Sequence, residues 1–109
     1  MHAAKAIDAL GALAQEHRLK LFRLLVQAGA EGMAAGDLAR AIDIPNSSLS
    51  FHLGHLHRAG LIEQRRAGRS LIYSAEYRAM DRLVAYLMEN CCGGAGCAPV
   101  SASLEKETA

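Results

Sequence analysis

All three cysteines of this chain fall in one short stretch, Asn90-Cys91-Cys92-Gly93-Gly94-Ala95-Gly96-Cys97. Thiolates are soft metal ligands and redox nucleophiles, so three of them gathered together invite either chemistry. The intervening Gly93-Gly94-Ala95-Gly96 carries almost no side-chain bulk, which lets the chain fold back and bring Cys97 beside Cys91 and Cys92. With no fourth cysteine and no neighbouring histidine, the set is one ligand short of a closed tetrahedral zinc site. A redox switch, in which Cys97 pairs with Cys91 or Cys92, uses the same atoms. Copper(I) is a further soft candidate, and incidental thiols on a disordered tail are the plain alternative. A thiol enzyme is disfavoured. It needs a base or an anion-binding loop nearby, and no His, Lys or Arg follows Cys91 until Lys106.

The rest of the chain must position that stretch. Its 109 residues suit one compact domain that gains from a partner subunit. Half of them are apolar, but three Tyr, two Phe and no Trp leave the core to Leu, Ile, Val and Ala, which favours helices. No apolar run is long enough to span a bilayer, and Met1-His2-Ala3-Ala4-Lys5 lacks the hydrophobic stretch of a secretory signal. The expectation is a cytoplasmic protein with reduced thiols. Net charge is only +1, yet between Asn46 and Ser74 stand Arg58, Arg65, Arg66 and Arg69 against Glu63 alone. Such a basic segment is either a solvated face or an anion-contacting one.

Hydrophobic spacing predicts a first helix over about 3–14 with Ile7, Leu10 and Leu13 or Ala14 on its apolar stripe. Gln15-Glu16-His17 breaks it. In a second helix Leu21, Phe22, Leu25 and Val26 share a face, Arg18, Lys20 and Arg23 lie off it, and Gly29 stops it in a left-handed conformation. A short third helix over about 35–43 turns Leu38, Ala39 and Ile42 inward. After Pro45, with Asn46 or Ser47 as the cap, a fourth helix over about 47–59 buries Leu49, His52, Leu53 and Leu56. His52 is expected to hydrogen-bond within the fold rather than bind a ligand. Two short strands, 61–66 and 70–74, flank the turn Ala67-Gly68-Arg69, and a last helix over about 75–89 places Met80, Leu83, Val84, Leu87 and Met88 on one broad apolar side.

Two helices joined by a tight turn, the second opening with small polar residues, suit a helix-turn-helix that lays its second helix in the major groove of DNA. Ser47, Ser48 and Ser50 are short enough for close approach to bases and phosphates, Gly54 removes bulk, and Phe51 can meet a thymine methyl, with His55 and Arg58 alongside. Arg65, Arg66 and Arg69 on a protruding hairpin reach flanking phosphates or a minor groove. A metallochaperone would share the thiols but has no need of such a helix.

Three blocks carry a resemblance: Leu13-Ala14-Gln15-Glu16-His17-Arg18-Leu19-Lys20-Leu21-Phe22-Arg23-Leu24-Leu25; Ser48-Leu49-Ser50-Phe51-His52-Leu53 with Ala59-Gly60-Leu61-Ile62; and Gly68-Arg69-Ser70-Leu71-Ile72-Tyr73. In this order, within residues 7–90, they resemble the ArsR/SmtB winged-helix repressors. The resemblance implies a mainly α winged helix-turn-helix with a β-hairpin wing, in the order α-α-α-α-β-β-α. It further implies a homodimer, paired through the first and last helices, that binds double-stranded operator DNA and is released by a metal or metalloid. Residues 1–90 would form the DNA-binding and dimerisation domain, and 91–109 a flexible tail carrying the cysteines.

Sensing sites of the family differ in position. The cysteines that one arsenic site uses on the first helix of the helix-turn-helix are missing from Met33-Ala34-Ala35-Gly36-Asp37-Leu38-Ala39, and all five histidines precede the wing, which argues against zinc on the last helix. Cys91, Cys92 and Cys97 resemble the C-terminal three-cysteine arsenic site of some repressors. Trivalent arsenic or antimony is soft and keeps a lone pair, so it takes three thiolates in a pyramid. As(III) or Sb(III) is then the inducer, with no catalytic cofactor and no enzymatic activity. A redox-sensing or other soft-metal-sensing repressor of the same fold is the alternative.

Overall fold

A computed structural model describes residues 1–94. Five α-helices run as α1 (Ala3–Leu13), α2 (Glu16–Ala28), α3 (Ala35–Ile42), α4 (Asn46–Arg58) and α5 (Tyr77–Leu87), and three strands as β1 (Met33–Ala34), β2 (Ile62–Ala67) and β3 (Ser70–Ala75). The strands form one antiparallel sheet in the order β1-β3-β2. The expected winged helix-turn-helix is therefore present, with a short extra strand on the wing's inner edge. Two residues are too few to show an alternating pattern, which is why β1 escapes notice in the sequence.

The core is a leucine cluster. Leu21 and Leu25 of α2, Leu38 of α3, Leu49, Leu53 and Leu56 of α4, and Leu61 before β2 are fully buried, each burial contributing about 2 kcal/mol relative to exposure. Gln15 begins α2 by accepting a hydrogen bond from the Arg18 amide at 2.9 Å, so the expected break is an N-cap. Gly29 leaves α2 at φ +75°, ψ −162°. The positive φ is as expected, but the extended ψ places it outside the left-handed helical region, in space open essentially to glycine.

Five expectations need correction. On α1 the buried stripe is Ala6, Ala9 and Ala12, while Ile7 and Leu10 are 67% and 42% exposed; alanines allow close packing onto α2, and the larger side chains turn outward. Val26 is exposed on α2. On α4, Pro45 occupies the N-cap position and no side chain caps the helix, so neither Asn46 nor Ser47 plays that part. The last helix starts at Tyr77 because Ala75 still pairs with Ile62 and Glu76 is its N-cap, accepting from the Arg78 amide at 3.2 Å. Only Leu83 of α5 is buried, leaving Val84, Leu87 and Met88 exposed.

Tertiary hydrogen bonds fix the wing and α5 to the helical layer. The Tyr77 hydroxyl donates to the Val26 carbonyl at 2.8 Å, tying the start of α5 to the end of α2. Gly32 brings β1 against β3: at φ +70° a Cβ there would lie 2.1 Å from the Tyr73 carbonyl oxygen. Ala34, paired with Ile72, is also the N-cap of α3, so the sheet sets where the helix-turn-helix begins.

Candidate DNA interface and thiol site

The turn between α3 and α4 is Asp43-Ile44-Pro45. Asp43 adopts the left-handed conformation, φ 54° and ψ 57°, and Pro45 is extended, which redirects the chain into α4. As the spacing predicted, Leu49, His52, Leu53 and Leu56 face the core. Ser47, Ser50, Phe51 and Arg58 are exposed on the other side, with Ser48 and His55 half-buried at its margins. Phe51 is 60% exposed and its ring stands edge-on to His52 and His55, with centroids at 5.5 and 6.4 Å. At Gly54 the Arg58 guanidinium lies 3.2 Å from where a Cβ would stand, so the missing side chain leaves room for that arginine along the helix.

In the wing, Ala67 pairs with Ser70 and the loop is Gly68-Arg69, with Gly68 at φ +63° as a two-residue hairpin requires. Arg66 and Arg69 are exposed and form no ion pair among the described residues. Arg65 differs from its neighbours. Its guanidinium donates to the Glu31 carbonyl at 2.7 Å, so it anchors the wing's root to the turn after α2. At the wing's base Glu63 and Glu76 share a hydrogen bond, which raises the Glu63 carboxyl and lowers that of Glu76.

His52 is 9% exposed, and the Arg18 guanidinium lies 3.4 Å from its Nδ1. Burial first, then the Arg18 charge, then His17 and His55, hold its pKa below the ordinary imidazole value. It is a neutral hydrogen-bonded core histidine, as the sequence suggested. Arg18, placed off the buried face by sequence periodicity, is the residue that reasoning missed: its long side chain folds back to donate to the Ala12 carbonyl at 2.7 Å and is half-buried at the edge of the core.

Beyond α5 the chain reverses, with Asn90 and Cys92 at φ 57° and 56°. Cys91 and Cys92 lie in a short 3-10 turn, Cys91–Gly94, their sulfurs 3.7 Å apart. Cys92 is disulfide-bonded in this structure, so the pair would offer two thiolates to one soft ion only after that bond is reduced. Cys97 lies outside the described residues.

A family model described as a helix-turn-helix domain matches residues 13–65. The chain is 33% identical over 86 residues to the transcriptional activator HlyU of Vibrio cholerae, covering 76% of this chain and 77% of that one. It is 34% identical over 79 residues to a protein of Halobacterium salinarum named as an arsenical resistance operon repressor, ArsR, covering 72% and 60% respectively. The chain belongs to the ArsR/SmtB family. The solved structure of Vibrio cholerae HlyU superimposes with a TM-score of 0.63 at 32% identity, over 78% of this chain and 92% of that one. For NolR of Sinorhizobium fredii the score is 0.65 at 31% identity, over 82% and 86%. This ArsR/SmtB protein is thus a transcriptional regulator with a DNA-binding helix-turn-helix, and its relatives are regulators rather than enzymes. Among its described residues no helix is long and apolar enough to cross a membrane.

Proposed function

We propose that this regulator is a homodimeric repressor that holds operator DNA through α4 and the wing and lets go when As(III) or Sb(III) binds Cys91, Cys92 and Cys97. The observation that carries the reading is the pair of adjacent sulfurs, 3.7 Å apart, directly beyond the last helix. Ser47, Ser48, Ser50, Phe51, His55 and Arg58 would face the major groove, and Arg66 and Arg69 the flanking phosphates, with Arg65 acting mainly as the wing's anchor. Pairing would use α1 and α5. Ile7, Leu10, Val84, Leu87 and Met88 give these touching helices apolar side chains that the single chain leaves in water. Residues 1–90 then form the DNA-binding and dimerisation unit and 91–109 the sensing tail. That one relative carries the name of an arsenical resistance repressor favours the metalloid among soft ligands.

The test is a gel shift on the promoter fragment upstream of the protein's own gene, with arsenite added under reducing conditions. Wild type should release the fragment, while Cys97→Ser should bind it equally well and stay bound, because two thiolates hold a three-coordinate centre poorly. Arsenic-edge absorption should count three sulfur neighbours. Retention of DNA by the arsenite-saturated wild type would refute the proposal, and release by an oxidant alone would favour the redox alternative.

A further inference from the structure

A single, partly buried guanidinium joins three helices. Arg18, in the first turn of α2, donates through Nε to the Ala12 carbonyl near the end of α1 at 2.7 Å, while Nη1 lies 3.4 Å from His52 Nδ1 on the buried side of α4. The Arg18 amide is itself fixed by Gln15 Oε1. The His52 ring also meets those of His17 and Phe51, both at 5.5 Å, and Phe51 leads on to His55. The contact chain therefore runs from the end of α1, through Arg18 and His52, to two side chains at the outer face of α4.

Arginine can only donate, so His52 Nδ1 must accept, which requires a neutral ring with its proton on Nε2. Nothing nearby favours a second proton. Arg18 and His17 face the ring from α2 and His55 from α4; α1 offers the Ala12 carbonyl to Arg18, and its Asp8 lies by His55 and Arg58 instead. A proton on Nδ1 would remove the acceptor and set a cation against the guanidinium, in a place where burial already penalises charge.

We propose that Arg18 is a positioning residue for the DNA-reading helix: through neutral His52 it fixes α4 against the end of α1, and Phe51 and His55 reach their DNA-facing places only while this bracket holds. The proposal rests on the reading of α4 as the DNA-contacting helix. It has a consequence for pH: a proton on His52 Nδ1 removes the acceptor and opens the bracket, so operator affinity should fall on acidification.

Fluorescence anisotropy of the full chain on its operator fragment, followed from about pH 8 to about pH 5.5, tests this. Wild-type affinity should fall on the acid side. In His52→Gln, whose amide oxygen accepts from Arg18 without titrating, that fall should be smaller. Arg18→Lys keeps the charge but not the fork, and should bind roughly tenfold more weakly, about one net hydrogen bond, with an unchanged salt slope because no phosphate contact is lost. Superimposable pH profiles for wild type and His52→Gln would overturn the proposal, as would undiminished binding by a folded Arg18→Lys; should Arg18→Lys fail to fold, the pH comparison alone decides. Ser50→Glu tests the underlying reading separately. If it still binds, α4 is not the reading helix and the proposal falls with that reading; if it abolishes binding while the pH profiles coincide, the bracket alone is refuted.

Discussion

Replacing Gly32 by alanine should cost far more than replacing Gly68, although both have positive φ, +70° and +63°. At Gly68 an added Cβ meets nothing within 4 Å, so the cost is conformational alone, about 1–2 kcal/mol. At Gly32 it would meet the Tyr73 carbonyl oxygen at 2.1 Å, its carbon at 2.9 Å and Ile72 Cγ2 at 3.1 Å. Two of these are backbone atoms of β3 and cannot swing aside, so β1 must part from β3. The Met33–Tyr73 and Ala34–Ile72 pairings go with it. Adding about 0.5–1.5 kcal/mol for each of two ladder hydrogen bonds lost to a conformational cost of about 1–3 kcal/mol gives roughly 2–6 kcal/mol, a large part of the ~5–15 kcal/mol that holds a small domain together. Because Ala34 is the N-cap of α3, DNA binding should weaken as well. Urea unfolding of both variants at one fixed protein concentration gives the comparison. If Gly32→Ala and Gly68→Ala lose the same stability within about 0.5 kcal/mol, the close approach of β1 to β3 is wrong.

If pairing runs through α1 and α5 as proposed, Leu10→Glu should give a folded monomer, since Leu10 is 42% exposed in the single chain; sedimentation gives the mass and circular dichroism the unchanged helix content. Arg66→Ala or Arg69→Ala should lower the slope of log affinity against log salt by about 0.9 each. Arg65→Ala should change the slope less and instead loosen the wing, read as faster amide exchange along β2. Protonation of His52 also couples to folding. Its folded pKa lies below the ordinary 6.5, so the unfolded chain binds the proton more readily; this contribution to stability is complete above 6.5 and is lost as pH falls from there toward the folded pKa. Stability measured across that window should decline in wild type more steeply than in His52→Gln.

Periodicity located the helices because each leaves a regular trace: Leu49, His52, Leu53 and Leu56 recur at helical spacing and all four are buried. It misassigned α1 and α5 for one shared reason. Ile7, Leu10, Val84 and Leu87 are apolar at helical spacing, but spacing does not say whether the surface that covers them belongs to the same chain. On α1 the small residues Ala6, Ala9 and Ala12 take the intramolecular contact and the larger ones remain outside. Capping failed differently. Asn46 and Ser47 have the chemistry of caps, yet the extended backbone that defines the position falls on Pro45, one residue earlier. Arg18 could not be placed from the sequence at all, since a long side chain can reach the interior from a helical position that points away from it. Of the thiols, adjacency in sequence brings Cys91 and Cys92 together, and only their approach to Cys97 depends on the fold of the tail.

On the proposed reading, one route from the thiols to DNA runs through what α5 touches. Within one chain α5 packs on α1 and is tied to α2 by the Tyr77–Val26 hydrogen bond, and α1 packs on α2 and α4. The carbonyl of Ala12 near the end of α1 is the one that Arg18 holds. On the proposed reading, a shift of α5 on metalloid binding would therefore move the support of the bracket as well as the dimer axis. The energy required is small: coupling of about 1–3 kcal/mol weakens operator binding 5- to 150-fold. A metalloid that bound the DNA-held and free forms equally well would change nothing, however tightly it bound. A double-mutant cycle measures whether the bracket transmits the signal or only supports the helix. If Arg18→Lys lowers operator affinity equally with and without arsenite, the bracket is a passive support and induction runs through dimer geometry alone. If the loss shrinks once arsenite is bound, the metalloid has already opened the bracket, and the two perturbations share one path to α4.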